Sequence, residues 1–230
     1  LAAPFPTIED EIRLKDLIQI WQTGARPDTI PQRLLVDQST RAIFEILWGP
    51  ASNAVQTLPS DQLLDAAWNE DAAWAIVPFE QLEPRWKVLA VDGQSPIQKT
   101  FNPLSYGLTV YFGLDGQAAA SAASQIQLPE GNRRSDRLTT VVLTGVTALV
   151  RGTASLMERW GMNYPARDIG GWLREADILH INNEVPFARN CPQPYDWEGL
   201  VFCSQTEYIE LLENIGTDVV ELSGDHFQDW

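Results

Sequence analysis

Three short apolar segments in the second half of the chain limit its fold more than any other feature of the sequence. They are rich in β-branched and aliphatic residues and lie at 138–144, 177–182 and 218–222. Helical patterns separate them, with predicted helices at 153–160, 168–175 and 205–215. Apolar strands that alternate with helices are typical of a parallel sheet covered on both faces. This half is therefore predicted to be an α/β domain whose ligands bind beyond the carboxyl ends of the strands.

The first half of the chain also alternates between helix and strand patterns, which again predicts an α/β domain. Helices are predicted at 12–21, 39–48 and 61–68, and strands at 33–36, 74–78, 86–91 and 108–112. In the second helix, Ser39 or Thr40 is the expected N-cap, and four side chains are expected to face inward: Ile43, Phe44, Ile46 and Leu47.

A polar, turn-forming stretch at 128–137 separates the two halves. Such stretches are typical of linkers, so we predict a domain boundary near 130–137. The expected domains are then 1–130 and 138–230.

The chain is strongly acidic, with 31 Asp and Glu against 16 Lys and Arg and a formal net charge of −15. Such a surface repels phosphate backbones and anionic lipids, so nucleic acid is not an expected partner. No apolar run in the sequence approaches the roughly 18 residues that a membrane span needs, and none is predicted. The first six residues lack a basic region and an apolar core, so they are not expected to be an intact signal peptide.

The only two cysteines, Cys191 and Cys203, bracket a turn-rich segment that contains Pro192, Pro194 and Gly199. This arrangement favours a disulfide, which would indicate an oxidising compartment. A disulfide that closes a loop of this length stabilises the folded state by on the order of 3 kcal/mol. The alternative is a pair of buried free thiols.

Polar side chains follow the second and third predicted strands of the C-terminal half. Glu184 comes shortly after the second strand, and Asp225 and His226 come shortly after the third. If the strands are parallel neighbours, these residues share one edge of the sheet, where two carboxylates and an imidazole can hold a divalent ion. Gly224 permits the backbone bend that lets both Asp225 and His226 point inward. Solvated caps or turn formers are the alternative interpretation.

Two more polar residues of this half are expected to have structural roles. His180 lies in the middle of the second strand between apolar residues, so it is expected to be packed and hydrogen-bonded. Asp177 begins the same strand and is expected to be a cap.

Three motifs in the C-terminal half, at 140–151, 176–184 and 208–229, occur in the order and strand-end context of a known family. The first is an apolar strand followed by Gly-Val and then Arg, the second an Ala-Asp strand that ends in Asn-Asn-Glu, and the third a helix and strand that lead into Gly-Asp-His. Residues 138–230 thereby resemble the opening part of the poly-gamma-glutamate biosynthesis (CapA-type) family. The resemblance implies the first part of a calcineurin-like, metallophosphoesterase-type α/β domain.

The resemblance also implies roles for individual residues. Glu184 matches an acidic metal ligand, Asp225 stands where the family has a ligating Asn, and His226 matches a catalytic histidine that stabilises charge on a phosphoryl group. The implied cofactor is a divalent metal ion, Mn, Zn or Fe. Val146 occupies the place of the first-motif Asp and cannot ligate, so metal affinity should be reduced. The family's domain continues further, so the chain is expected to be a fragment that lacks the later histidine ligands of a bimetal centre.

The first half has a fainter resemblance of its own. Segments at 14–24, 37–44, 73–82 and 87–93 are similar to a lobe of type 2 periplasmic solute-binding proteins. This resemblance implies an anion-binding site at Ser39, Thr40 and Arg41, near a helix N-terminus. The alternative is that Ser39 only caps the helix and Arg41 lies on its solvated face.

Two functions are consistent with these patterns. The first is an extracytoplasmic protein of capsule or poly-gamma-glutamate biosynthesis with a degenerate metallophosphoesterase-like site, in which a metal ion would polarise a phosphoryl or acyl oxygen. The second is a non-catalytic binding or scaffold protein of the cell envelope. A cell-envelope polymer or a small anionic ligand is the expected partner in either case.

Overall fold

A computed structural model describes residues 1–25, 33–69, 73–126, 131–194 and 200–230 of the chain. The chain forms two compact units, Leu1–Arg137 and Leu138–Trp230. Within the described ranges, no helix is both long enough and apolar enough to cross a lipid bilayer.

The N-terminal unit contains a mixed five-stranded sheet. Its elements are β1 (Ala2–Pro4), β2 (Glu11–Ile12), α1 (Leu14–Thr23), β3 (Arg33–Val36), α2 (Gln38–Trp48), β4 (Val55–Thr57), α3 (Leu63–Asn69), β5 (Ala73–Ile76), β6 (Trp86–Val88), β7 (Ala90–Val91) and α4 (Ala119–Gln125). The strand order is β4-β3-β5-β1-β6. Strand β3 is parallel to β4 and β5, whereas β1 is antiparallel to β5 and β6. Strands β2 and β7 form a separate parallel pair.

Helices α1 and α2 are joined by a cluster of aromatic rings. The Trp21 ring lies 5.9 Å from Phe44 and 5.6 Å from Trp48, and the last two rings are 4.4 Å apart. Aromatic pairs at such distances add about 0.5–1.5 kcal/mol each beyond the area they bury. Helix α1 ends at Gly24, whose φ of 72° favours glycine.

Two expectations for α2 were wrong. Its N-cap is Asp37, whose Oδ1 accepts hydrogen bonds from the Thr40 N–H (2.6 Å) and the Ser39 hydroxyl (2.8 Å). The side chains that face inward are those of Thr40, Phe44 and Trp48, which are spaced four residues apart along the helix. That orientation turns Ile46 outward, with 85% of its surface exposed, and Leu47 is also exposed.

The predicted strand at 108–112 does not form. Leu108 and Val110 pack against the core, as the alternating pattern suggested, but no described strand pairs with the segment. The next two side chains, Tyr111 and Phe112, are exposed. An alternating pattern thus marked a half-buried loop.

The C-terminal unit contains a three-stranded parallel sheet. Its elements are β8 (Val141–Val146), α5 (Arg151–Trp160), α6 (Gly170–Arg174), β9 (Ile178–Asn182), α7 (Ile209–Asn214) and β10 (Val219–Glu221). The order is β10-β9-β8, with both pairs parallel and a register irregularity between Leu143 and Val146. The three predicted strands and their parallel arrangement are therefore confirmed.

One face of this sheet packs on the described helices of the unit, and several side chains on the other face are exposed. Leu179 and Ile181 of β9 are buried in a cluster with side chains from α5, α6 and α7. On the opposite face Leu143 is 70% exposed, and Val141 and Val219 are about half exposed. The expectation that both faces are covered was wrong for this unit, because the described helices pack against one side only.

The two cysteines form a disulfide, as the sequence predicted. Cys191 and Cys203 are bonded, with their Cα atoms 5.8 Å apart. Cys203 is buried, and the Ser204 backbone N–H donates to the Pro186 carbonyl at 2.9 Å. The disulfide therefore fixes the end of its loop against the segment that follows β9.

Removing the Asp37 cap should destabilise the N-terminal unit. Burial opposes ionisation of Asp37, but hydrogen bonds from Thr40 and Ser39 outweigh it and lower the pKa of the carboxyl. We expect Asp37→Ala to lower the free energy of unfolding by about 1 kcal/mol at pH 7, as for other N-caps. Because the pKa of Asp37 is lowered in the folded state, its carboxylate stabilises the fold above the unfolded pKa. The difference in the free energy of unfolding between wild type and Asp37→Ala should therefore shrink as the pH falls through the folded pKa.

Urea unfolding of both proteins at several pH values measures this difference. Asp61→Ala, which removes an exposed carboxylate, is the matched control and should change stability little. An equal loss of stability in both variants would contradict the assignment of Asp37 as the cap.

Candidate metal centre

The carboxyl ends of the three C-terminal strands lie side by side. Asn182 at the end of β9 pairs with Val146 of β8 on one side and with Glu221 of β10 on the other. The loops that leave these strands therefore begin at one edge of the sheet, where parallel α/β sheets bind ligands.

Glu184 lies in a tight turn directly after β9. The Val185 N–H donates to the Asn183 carbonyl at 2.6 Å, and Glu184 between them has a φ of 62°. This left-handed conformation is uncommon for a residue with a side chain and is found more often at functional sites. It is imposed here by the three-residue turn.

Gly224 allows the β10 loop to approach Glu184 closely. A Cβ atom at Gly224 would clash with Glu184 Cγ and lie 3.2 Å from its Cβ and Cδ. The missing side chain at Gly224 is therefore a condition for bringing the two loops together. The sequence pointed to this glycine for its backbone freedom, whereas the structure requires its lack of volume.

Asn183 is fully buried and hydrogen-bonds three segments. Its Oδ1 accepts from the Leu149 N–H (3.1 Å), and its Nδ2 donates to the Val185 carbonyl (3.0 Å) and to Ser204 Oγ (3.2 Å). Ser204 Oγ in turn donates to the Leu149 carbonyl at 2.9 Å. This role was not predicted, since a polar residue after a strand is usually solvated.

His226 is held at one ring nitrogen and on one ring face. Its Nδ1 shares a hydrogen bond with Asp229 Oδ2 at 2.8 Å, while its Nε2 lies 3.9 Å from Asp225 Oδ1. The Phe202 ring stacks on it at 3.7 Å between centroids and 9° between planes. A carboxylate on one imidazole nitrogen leaves the other to bind a metal, as at many metal sites. The sequence analysis included Asp229 as the last residue of the third motif but gave it no role, and nothing in the sequence pointed to Phe202.

Glu184, Asp225 and His226 converge as the sequence predicted they would. Each offers one ligand atom, and these atoms all lie within 4.8 Å of one another. Two carboxylates and one imidazole form a mixed oxygen and nitrogen donor set that suits Mn²⁺, Zn²⁺ or Fe²⁺. The residues therefore fit the divalent ion that the resemblance implies.

The electrostatics of the cluster also favour a cation. The hydrogen bond with Asp225 raises the pKa of Glu184, and partial desolvation and the Asp225 charge act in the same direction. The same hydrogen bond, together with the His226 charge, lowers the pKa of Asp225. Two neighbouring carboxylates that share a proton repel each other once both ionise. A divalent ion would remove that repulsion.

Val146 lies at the edge that holds the cluster, but it contributes no ligand atom. It ends β8 beside Asn182 and is 60% exposed. An aliphatic side chain at this point leaves the candidate centre with the three donors named above.

The predicted anion-binding residues lie in the N-terminal unit, at the start of α2. Thr40 is buried, and its N–H and the Ser39 hydroxyl both donate to Asp37. Arg41 donates from Nε to Glu45 (2.9 Å) and from Nη1 to Thr57 (3.0 Å). An anion at this site would have to compete with the Asp37 carboxylate, and the anion-binding role stays a prediction.

The two residues expected to be structural are not among the three residues of the cluster. His180 Nε2 is 3.4 Å from Glu221 Oε2 on the neighbouring strand. Asp177 Oδ2 accepts from the Thr140 N–H at 2.8 Å, which fixes the start of β8 as expected of a cap.

The parallel sheet and its strand-end cluster define a metallophosphoesterase-like α/β unit. Residues 140–230 match the family model described as bacterial capsule synthesis protein PGA_cap. The C-terminal unit is thus similar to the CapA-type family of capsule synthesis proteins, which has a calcineurin-like phosphoesterase fold. No curated protein and no solved structure matched the chain, and the likeness of the N-terminal unit to solute-binding proteins stays a prediction.

Asp229 should control the protonation of His226. The hydrogen bond to Asp229 raises the pKa of His226, and the charges of Asp225 and Glu184 add to the effect. We expect Asp229→Asn to lower the pKa of His226 toward its ordinary value, because the imidazolium loses its closest carboxylate. An NMR titration of the His226 ring protons measures the change.

Gln228→Asn is the control for the Asp229 variant, since Gln228 is its exposed neighbour and carries no charge. It should leave the pKa of His226 as in the wild type. A pKa that does not move in Asp229→Asn would contradict the hydrogen bond.

Proposed function

We propose that the C-terminal unit binds one divalent metal ion through Glu184, Asp225 and His226 and serves capsule or poly-gamma-glutamate biosynthesis outside the cytoplasm. The observation that carries the proposal is the convergence of the three ligand atoms at the carboxyl edge of the sheet. When bound, the ion would polarise a phosphoryl or acyl oxygen of the substrate. As a ligand through Nε2, His226 would be held in place by the Asp229 carboxylate on its other ring nitrogen.

An extracytoplasmic location is supported by two observations. The family match is to capsule synthesis proteins, and capsule polymer is assembled at the cell surface. The disulfide between Cys191 and Cys203 is of a kind that persists in oxidising compartments. The expected partner is therefore a cell-envelope polymer or a small anionic ligand.

The centre is proposed to be degenerate. Val146 removes one anionic ligand that the family's first motif supplies, so the ion is held by fewer charges. Weaker binding supports a second candidate function, in which the unit keeps the fold of the enzymes but only binds polymer or serves as a scaffold. The exposed Val146 side chain at the strand end is the observation that favours this alternative.

Loss of Glu184 should abolish or greatly weaken metal binding. We expect purified wild type to bind one Mn²⁺ or Zn²⁺ ion by calorimetry, and Glu184→Ala to bind at least about tenfold more weakly. Even outer-shell partners of metal ligands are worth 10- to 100-fold in affinity. Glu210→Ala, which removes an exposed carboxylate from α7, is the matched control and should bind as the wild type does.

Equal metal affinity of wild type and Glu184→Ala would contradict the proposed metal centre. Elemental analysis of the purified protein checks the stoichiometry independently.

Restoring a carboxylate at Val146 separates the two candidate functions. We expect Val146→Asp to bind Mn²⁺ more tightly than wild type, by about tenfold or more, because it adds an anionic ligand at the same sheet edge. Val146→Ala is the control and should change nothing, since it adds no donor. Calorimetry gives the affinities, and hydrolysis of p-nitrophenyl phosphate tests for recovered activity. An unchanged affinity in Val146→Asp would favour the scaffold function.

A further inference from the structure

Phe202 stacks on the imidazole of His226, and its own position is fixed by a disulfide. The two rings are nearly parallel and 3.7 Å apart, and the residue after Phe202 is the disulfide-bonded Cys203. We infer that Phe202 is a positioning residue, which holds the His226 ring so that Nε2 faces Glu184 and Asp225, and that the Cys191–Cys203 disulfide keeps Phe202 in place. The inference rests on the proposed function, since it concerns a ligand of the proposed metal centre.

The segment that carries Phe202 is anchored immediately beyond the aromatic ring. Cys203 is 4% exposed and Ser204 is fully buried. The Ser204 hydroxyl donates to the Leu149 carbonyl, and its backbone N–H donates to Pro186. These bonds fix the backbone beside Phe202 relative to the loop that carries Glu184. The Phe202 ring is thus a rigid surface beside the ligand cluster.

The segment that carries His226 has few anchors of its own. The residues from Asp225 to Trp230 are exposed apart from His226 itself and form no helix or strand. The hydrogen bond to Asp229 holds one ring nitrogen, but a ring held at one atom can still swing about that bond. Stacking on Phe202 fixes the plane of the ring. Both restraints are needed to direct Nε2, and only the first comes from the segment itself.

Helix α5 adds a further contact to the Phe202 ring. The Arg151 guanidinium lies over it, with Cζ 5.9 Å from the ring centroid. A cation at this distance is attracted to the aromatic face, by roughly 0.5–1 kcal/mol at exposed sites. This contact links the ring to the helix that follows β8, so segments from after all three strands hold the His226 ring.

Phe202→Leu tests the inference, because it keeps apolar bulk and removes the aromatic ring. In metal-free protein we expect the His226 ring protons to shift in the ¹H–¹³C NMR spectrum, since the ring current of the stacked neighbour is lost. Affinity for Mn²⁺ should fall about tenfold, the low end for partners that orient a ligand. Phe202→Tyr keeps the aromatic ring and should restore both values. Phe227→Leu, which alters an exposed phenylalanine next to His226 in sequence, is the matched control.

The disulfide is tested by Cys191→Ser together with Cys203→Ser. We expect the same displacement of the His226 resonances and the same loss of affinity as in Phe202→Leu. Wild-type resonances and affinity in this double variant would overturn the role given to the disulfide. If the double variant fails to fold by circular dichroism, mild reduction of the folded wild type followed by the same NMR measurement decides instead.

The outcomes separate this inference from the proposed function. His226 resonances that stay in place in Phe202→Leu overturn the inference whatever the metal result. Shifted resonances with wild-type Mn²⁺ affinity overturn the role of Phe202 in metal binding and leave the metal centre intact. No Mn²⁺ binding by the wild type overturns the proposed function, while shifted resonances in Phe202→Leu still support the stacking of Phe202 on the His226 ring.

Discussion

The buried carboxamide of Asn183 joins the segments on which the C-terminal site depends. It bonds the loop after β8 through Leu149, the turn after β9 through Val185, and the segment after the disulfide through Ser204. A buried polar group that loses its partners costs about 1–3 kcal/mol, so these three segments are held in one arrangement. Glu184 follows Asn183 directly and Phe202 lies two residues before Ser204. The network therefore sets the positions of Glu184, the proposed ligand, and of the Phe202 ring that stacks on His226.

Much of the C-terminal unit could be predicted from the sequence, because its strands and strand ends are recognisable from short segments of the chain. Each strand is a short apolar run bounded by polar residues, and parallel neighbours bring their carboxyl ends together. That rule places Glu184, Asp225 and His226 at one edge of the sheet, and the resemblance of the three motifs to a known family then favoured a metal site over solvated caps. Their close approach further depends on the space left at Gly224, which the sequence suggested only as a flexible point.

The contacts that sequence reasoning missed depend on the three-dimensional path of loops. Phe202 meets His226 because two segments distant in sequence cross at one edge of the sheet. In the N-terminal unit, Asp37, Ser39 and Thr40 are all good caps, and the cap is the one whose carboxylate reaches the Thr40 N–H. Leu108 and Val110 have the alternation of a strand, yet they pack on the core without a ladder. The alternating pattern correctly predicted that these two side chains pack on the core, but it wrongly predicted that the segment is a strand.

The open face of the C-terminal sheet has a consequence for the behaviour of the protein in solution. Leu143, Val141 and Val219 have exposed aliphatic side chains, and exposed apolar surface promotes association. The chain's net charge of −15 opposes this by mutual repulsion. Added salt screens that repulsion over a distance of about 10 Å at 0.1 M and leaves the apolar attraction in force. Colloidal stability should therefore be greatest in dilute buffer, with self-association growing as ionic strength rises.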